Sequence, residues 1–164
     1  MSTAPKIISR ARAAEIAAEA RGKGRRVVLA NGCFDLLHVG HARYLAGARA
    51  CGDLLITGVN SDSSVRRLKG DGRPLLDEQA RACLVAAFAS VDYVVLFDED
   101  NVRGLIAEIR PDVHAKGTDY TAETVPERDA VLAIGAQVAI VGDPKDHNTR
   151  DLIQHIRRQE GRAR

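Results

Sequence analysis

Short apolar runs alternate with longer segments of helical composition along nearly the whole 164-residue chain. The runs are apolar on consecutive positions, which is typical of strands covered on both faces. Strands that alternate with helices form a parallel sheet, because each helix carries the chain back across the sheet. The pattern predicts an α/β, Rossmann-like, doubly wound five-stranded parallel sheet with helices on both faces, its strands at Arg26–Ala30, Leu54–Val59, Tyr93–Phe97, Asp112–Ala115 and Gln137–Val141.

Segments of good helix formers fill the intervals between these strands. We expect a single domain over residues 1–164, with an N-terminal helix and lead-in at 1–24 and a polar tail at 159–164. In the fourth helix, Leu84, Ala87 and Phe88 are predicted to lie on one side. The predicted helices are Ala11–Ala20, Gly40–Ala50, Asp62–Leu68, Asp77–Ser90, Val102–Ile109, Pro126–Ile134 and Thr149–Arg158.

Composition narrows the possible partners and the compartment. A formal net charge of +2 gives no large basic field, so a nucleic-acid partner is not expected. The cysteines Cys33, Cys51 and Cys83 have no CxxC spacing, which favours a reducing compartment. The apolar runs are too short to span a membrane, and the first residues do not resemble a signal peptide. The sequence therefore predicts a cytoplasmic protein with no membrane partner.

The loop after the first strand carries the strongest chemical signal, in the stretch from Asn31 to His41. Ligands of doubly wound sheets bind beyond the carboxyl ends of the strands. His38 and His41 are three residues apart at a helix start, so their rings share one face. Gly32 and Gly40 allow a phosphate to approach the backbone, and the helix N-terminus favours an anion. These residues predict a polyphosphate site.

A helix-capping role for His38 and His41 is one alternative, and two other chemistries are alternatives for the same loop. A zinc site would need a third ligand, for which Asp35 is the only neighbour. A thiol nucleophile would use Cys33, beside a histidine and a helix end. We favour the phosphate hypothesis over these and interpret Cys33 as a small residue whose backbone lines the pocket.

A second loop, after the second strand, is the most basic stretch of the chain. Asn60 ends that strand, and Lys69 and Arg73 follow among glycines. Guanidinium and ammonium groups on such a loop are suited to phosphate, although a solvated basic loop has the same charge pattern.

The string Phe-Asp-x-x-His-x-Gly-His, within the strand–turn–helix setting, resembles the HxGH signature of adenylyl- and cytidylyltransferases. The likeness covers residues 25–157 and is strongest to the heptose 1-phosphate adenylyltransferase type. Three stretches carry that finer resemblance: Val59–Pro74, Ser90–Asp98 and Lys116–Tyr120.

The resemblance implies roles for individual residues. His38, His41 and Lys69 would be catalytic, and Asp35, Asn60, Lys69 and Arg73 would bind the acceptor. For Asp35, a metal contact or a turn-forming role is an open alternative, and Tyr120 either contacts the nucleotide or packs. The nucleotide would contact Asn31, Gly32, Cys33, Phe34, His38, Gly40, His41, Lys116, Gly117, Asp119, His147, Asn148 and Thr149.

The last loop departs from the family pattern, which has a Ser/Thr-rich turn before the final helix. Asn148, Thr149 and Arg150 stand there instead. Asn148 is a competent N-cap and Thr149 keeps one hydroxyl. Arg150 either reaches the phosphates or points to solvent.

The resemblance implies transfer of AMP from ATP to a sugar 1-phosphate, with Mg²⁺ brought by the triphosphate and chains that pair as homodimers. A cytidylyltransferase acting on glycerol 3-phosphate or another alcohol phosphate is the alternative within the same fold. A catalytically impaired nucleotide-binding module is a further alternative, favoured only by the altered turn. No GxGxxG follows the first strand, which argues against a plain dinucleotide-binding domain.

Overall fold

Five parallel strands in the order β3-β2-β1-β4-β5 form the centre of the molecule. The computed structural model describes residues 6–143 and Arg158. The strands are β1 (Val27–Gly32), β2 (Leu54–Asn60), β3 (Tyr93–Phe97), β4 (Val113–Gly117) and β5 (Gln137–Val141). The helices are α1 (Arg10–Gly22), α2 (Val39–Ala50), α3 (Asp62–Lys69), α4 (Glu78–Ala86), α5 (Arg103–Ile109) and α6 (Arg128–Ala133).

Two hydrophobic cores cover the two faces of this sheet. Strand residues alternate between them, because successive side chains of a strand point to opposite faces. Leu29 and Ile56 pack with residues of α1 and α5, whereas Val28 and Leu55 pack with residues of α2 and α4. The doubly wound α/β prediction is confirmed.

The strand order reverses between β1 and β4, which are neighbours although two strands separate them in sequence. The loops after these strands therefore diverge and leave a crevice at the carboxyl edge of the sheet. Asn31 and Gly32 lie at this edge on β1, and Lys116 and Gly117 lie at it on β4.

The apolar side of the fourth helix, with Leu84 and Ala87, is not its buried side. Leu84 is 43% exposed, and Ala87 lies beyond the end of α4 and is also exposed. The buried residues of α4 are Arg81, Ala82, Val85 and Ala86. The apolar pattern indicates the wrong side because Arg81 lies on the side of α4 that points into the protein.

One smaller boundary also differs from the predictions. Lys116 and Gly117 continue β4, so the turn predicted at Lys116–Tyr120 begins two residues later. The predicted helix Thr149–Arg158 lies outside the described residues, apart from Arg158. Within residues 6–143, no helix has the length and apolar character needed to cross a membrane.

Candidate active site

The two histidines of the first loop lie against each other at the start of α2. His38 is the N-cap residue, and its Nδ1 accepts a hydrogen bond from the backbone N–H of Gly40 at 3.2 Å. His41 closes the capping box, because its Nδ1 accepts from the backbone N–H of His38 at 3.3 Å. The ring centroids are 4.0 Å apart. The local helix cap thus brings the two imidazoles together, as their spacing predicts.

These caps also decide which ring nitrogen carries a proton. A neutral imidazole whose Nδ1 accepts a hydrogen bond carries its hydrogen on Nε2. Both histidines therefore have Nε2–H as a donor. Because the α2 N-terminus adds backbone N–H groups and the positive end of its dipole, this end of α2 favours an anion.

Phe34 forms the floor beneath the histidines. It is buried, its ring centroid is 5.4 Å from that of His41, and its backbone has φ of 48°, a conformation that non-glycine residues rarely adopt. Gly32 packs against the same ring: a Cβ there would come within 3.2 Å of Phe34 Cε2. A side chain at position 32 would therefore press against the Phe34 ring, so glycine suits the turn after β1.

Asp35 of the first loop is buried, and its side chain binds the loop between α3 and α4, which we call the basic loop. Its Oδ1 accepts from the backbone N–H groups of Leu75 and Leu76, at 2.6 and 3.2 Å. Its Oδ2 lies 2.6 Å from Arg73 Nε, as an ion pair without hydrogen-bond alignment. Both oxygens are engaged by a segment some 40 residues away in sequence. In this structure Asp35 and Arg73, both predicted to bind the acceptor, bind each other.

We expect Asp35→Asn to lower the free energy of unfolding by about 1–3 kcal/mol, because an amide NH₂ would face the guanidinium of Arg73 and one buried acceptor would be lost. Urea denaturation measures this change. Asp71→Asn is the matched control, since Asp71 lies in the same loop and is exposed. Equal stability of the two variants would contradict the anchoring role.

Arg81 is a site residue that sequence reasoning missed. It is fully buried on α4 and donates to four groups from three segments around the site. Nε donates to Leu76 O at 2.9 Å, Nη1 to the carbonyls of Cys33 (2.6 Å) and Asn60 (2.7 Å), and Nη2 to Asp62 Oδ1 at 2.7 Å. One guanidinium therefore fixes the relative positions of the first loop, the end of β2 and the basic loop.

Lys69 is the last residue of α3, and its positive charge acts on the thiol of Cys33 in the first loop. Burial raises the pKa of the Cys33 thiol, and the positive charges of Lys69, Arg81 and Arg73 oppose that rise. Burial dominates, so the thiol is a poor source of thiolate. This result favours the interpretation of Cys33 as a pocket-lining residue. Its Sγ lies 3.9 Å from Asn60 Oδ1, and Asn60 Nδ2 donates to Ser64 Oγ at 2.9 Å.

At the end of β4, a buried polar cluster faces Asn31. Lys116 Nζ lies 3.5 Å from Asn31 Oδ1, 3.4 Å from Glu127 Oε2 and 5.0 Å from the centroid of the Tyr120 ring. His114 Nε2 lies 3.2 Å from the same Asn31 oxygen. Glu127 and His114 were missed because a polar residue in a strand or at a helix end gives no sequence signal of its partner.

Acidification from about pH 7 to about pH 4.5 is expected to remove about 2–3 kcal/mol of stability through His114. Burial, and then the charge of Lys116, lowers the pKa of this histidine from 6.5 to about 3. Between these values the unfolded chain binds a proton that the folded chain does not, so stability is complete above about pH 6.5 and falls below it. Urea denaturation of the natural chain and of His114→Leu measures the difference, and an identical pH dependence would contradict it.

Tyr44 links the two strand ends from α2. Its hydroxyl donates to Ala115 O at 2.8 Å and accepts from the backbone N–H of Asn31 at 3.3 Å. Burial raises the pKa of this phenol, so Tyr44 stays neutral. Tyr44 lies one helical turn after His41. That spacing was the sequence feature from which its place near the site could have been predicted.

The remaining predicted nucleotide residues fall into two groups. Gly117 ends β4 at the crevice, and Asp119 is exposed in the turn that follows. The loop after β5 is described only as far as Asp143, so the predictions for His147, Asn148, Thr149 and Arg150 lie outside the described residues.

A separate cleft of about 520 Å³ lies at the opposite, amino edge of the sheet. None of the predicted site residues lines it. Several arginines do, and Arg21 donates to the backbone carbonyls of Ile109 and Arg110 at the end of α5. Cations at helix C-termini stabilise the last carbonyls, so Arg21 has a structural role there.

A doubly wound sheet with two imidazoles at a helix start on its carboxyl edge is the arrangement that the HxGH signature of nucleotidyltransferases predicts. A family model described as cytidylyltransferase-like matches residues 29–154. The chain belongs to the cytidylyltransferase-like family.

Relatives and a solved structure agree with this assignment. The chain is 52% identical over 136 residues to the bifunctional protein HldE of Syntrophotalea carbinolica, covering 83% of this chain and 28% of that protein. It is 49% identical over 151 residues to the bifunctional protein HldE of Trichlorobacter lovleyi, covering 92% and 31%. The chain thus spans less than a third of the length of these relatives. The crystal structure of a lipopolysaccharide core biosynthesis protein from Thermoplasma volcanium is similar, with a TM-score of 0.64 and 28% identity, over 74% of this chain and all of that one.

Proposed function

We propose that this domain transfers AMP from ATP to a sugar 1-phosphate, a heptose 1-phosphate, and releases pyrophosphate to give an ADP-sugar. The relatives named HldE and the lipopolysaccharide core biosynthesis protein support a sugar substrate of this kind. The observation that carries the proposal is the pair of imidazoles at the start of α2, whose Nδ1 atoms accept backbone hydrogen bonds and whose Nε2–H groups are therefore donors.

In the proposed reaction, an oxygen of the acceptor phosphate attacks the α-phosphorus of ATP. One P–O bond forms there, and the bond from the α-phosphorus to the bridging oxygen of the β-phosphate breaks. The electron pair of that bond leaves with pyrophosphate. A phosphate monoester has its second pKa near about 6, so its oxygen is largely ionised at neutral pH and needs no general base.

Charge stabilisation and positioning then supply most of the rate. His38 and His41 would donate through Nε2–H to the phosphate oxygens on which negative charge accumulates. Lys69 would neutralise charge where acceptor and triphosphate meet. Arg73 would act there through the basic loop, whose position depends on Asp35.

Mg²⁺ is proposed to enter with the triphosphate and to offset its negative charge. Within residues 6–143, no three His, Cys, Asp or Glu side chains are grouped to hold a metal ion, and Asp35 is engaged by Arg73 and two backbone amides. The residues present therefore fit an ion held mainly by phosphate oxygens.

The direct test is pyrophosphate release by the purified chain with Mg²⁺, using ATP or CTP against a panel of phosphorylated acceptors. We expect ATP with heptose 1-phosphate to give the highest kcat/KM. Higher activity with CTP and glycerol 3-phosphate would establish the cytidylyltransferase alternative. Nucleotide binding without release from any acceptor would indicate an impaired module. The cytoplasmic location and the homodimer stay predictions from the sequence.

A further inference from the structure

The imidazole of His114, on β4, is fully buried close to the carboxyl edge of the sheet, where the nucleotide is proposed to bind. Val113 and Ala115 of β4 belong to the core under α2 and α4, so His114 between them points to the opposite face. There its Nε2 is 3.2 Å from Asn31 Oδ1, on the neighbouring strand. Lys116 Nζ reaches the same oxygen at 3.5 Å.

Two groups thus converge on one amide oxygen, and this decides the orientation of the Asn31 side chain. Lys116 is only a donor, so the atom it meets is an acceptor. His114 must then donate through Nε2–H, which leaves its Nδ1 without a hydrogen. With its oxygen held by two donors, the Asn31 amide has its NH₂ group on the other side.

His114 does not contribute to stability in an obvious way. Its Nδ1 is buried and has no hydrogen-bond partner among the described residues, and the ring is 0% exposed. A buried polar atom without a partner disfavours folding, and an apolar side chain of similar volume would avoid that penalty. What the imidazole supplies in this place is the hydrogen bond to Asn31.

Asn31 occupies the position where that orientation matters. It is partly exposed at the end of β1, beside the crevice that the diverging loops after β1 and β4 leave at the carboxyl edge of the sheet. Its side chain points to the same face of the sheet as His114, and its NH₂ group is the part of that side chain that meets a ligand in the crevice as a donor.

We propose that His114 is a positioning residue of the nucleotide site: together with Lys116 it holds the Asn31 amide oxygen inward, so that the Asn31 NH₂ group donates to the nucleotide bound in the crevice. This inference rests on the proposed function. It adds a role for a residue that does not itself touch the nucleotide.

The test compares His114→Leu with His114→Gln, because the Nε2 of glutamine can replace the imidazole donor and leucine has none. Calorimetric titration with ATP and Mg²⁺ is expected to show about tenfold weaker binding for His114→Leu, the usual effect of one hydrogen bond, and near-natural binding for His114→Gln. The thermal unfolding midpoint of His114→Leu at about pH 7 should equal or exceed that of the natural chain. A purely structural role would instead lower it.

A double-mutant cycle with Asn31→Ala completes the design. Once Asn31 is removed, His114→Leu should weaken ATP binding no further, since the two side chains act as one unit. Additive losses, unchanged ATP binding by His114→Leu, or weaker binding with a parallel fall in the unfolding midpoint would overturn the inference. If the natural chain binds ATP but transfers no nucleotide, the proposed function fails and this inference is still decided by the binding data. If the natural chain binds no nucleotide, both fail.

Discussion

Replacing His41 with alanine is expected to lower turnover by at least ~10²-fold while the domain stays folded, the usual loss when one transition-state donor is removed. The reason is geometric. The Nδ1 of His41 is used by the backbone N–H of His38, so the contribution to chemistry comes from the Nε2–H on the other side of the ring. Steady-state pyrophosphate release measures the change, and circular dichroism checks the fold.

Two further substitutions separate the cap from the chemistry. The side-chain oxygen of His41→Asn can take the place of Nδ1 as the cap acceptor, but this variant has no donor where Nε2 was. His41→Gln can place an amide N–H near the position of Nε2. We expect His41→Asn to be as impaired as His41→Ala, and His41→Gln to retain more activity than either. Full activity in His41→Asn would show that the capping box, and not the donor, is what the reaction needs.

The fold was accessible from the sequence because it is encoded in local patterns. The apolar runs at Tyr93–Phe97 and Gln137–Val141 are the bounds of β3 and β5 as the structure has them. Parallel strands covered on both faces are largely apolar on consecutive positions, so these runs identify strands without a choice of which face each residue points to. The helix ends were less accurate, because Asp77–Ser90 reduces to Glu78–Ala86.

The histidine pair was predictable for the same reason. His38 and His41 are brought together by a single helical turn, so their spacing in sequence already defines their proximity. The Asp35 contacts were not, since its partners Leu75 and Arg73 are remote in sequence. A carboxylate in a loop has many possible partners, and only the tertiary structure selects among them.

Arg81 shows most clearly why part of the site was missed. The sequence shows Leu84 on the apolar side of this helix and gives no sign that a charged residue is buried on the other side. Arg81 is buried there because the carbonyls of Cys33, Asn60 and Leu76 satisfy the guanidinium inside the protein. Arg81 lies on the same helix face as Ala82, Val85 and Ala86, and this spacing was the only hint in the sequence that it is buried. The hint could not be interpreted without the partners of the guanidinium, which the sequence does not show.

Replacing Arg81 with methionine is expected to lower the free energy of unfolding by about 3–5 kcal/mol, the usual effect of removing one partner from a buried charged network. Methionine fills most of the volume but donates no hydrogen bond, so three backbone carbonyls and Asp62 lose their donor. A domain of this size has roughly 5–15 kcal/mol of stability, so the variant should fold at low temperature but denature at a much lower urea concentration. Urea denaturation at a fixed temperature measures the change.

The control is Arg12→Met, which breaks an exposed ion pair with Glu15 on α1 and should change stability by less than about 1 kcal/mol. Because Arg81 joins the first loop, the end of β2 and the basic loop, its loss should also lower turnover under conditions where the variant is fully folded. A third variant, Arg81→Lys, keeps the charge but cannot reach four acceptors at once, so it should recover only part of both losses. Full recovery by lysine would mean that charge alone matters here, and that the planar fork of the guanidinium is not what holds the three segments in place.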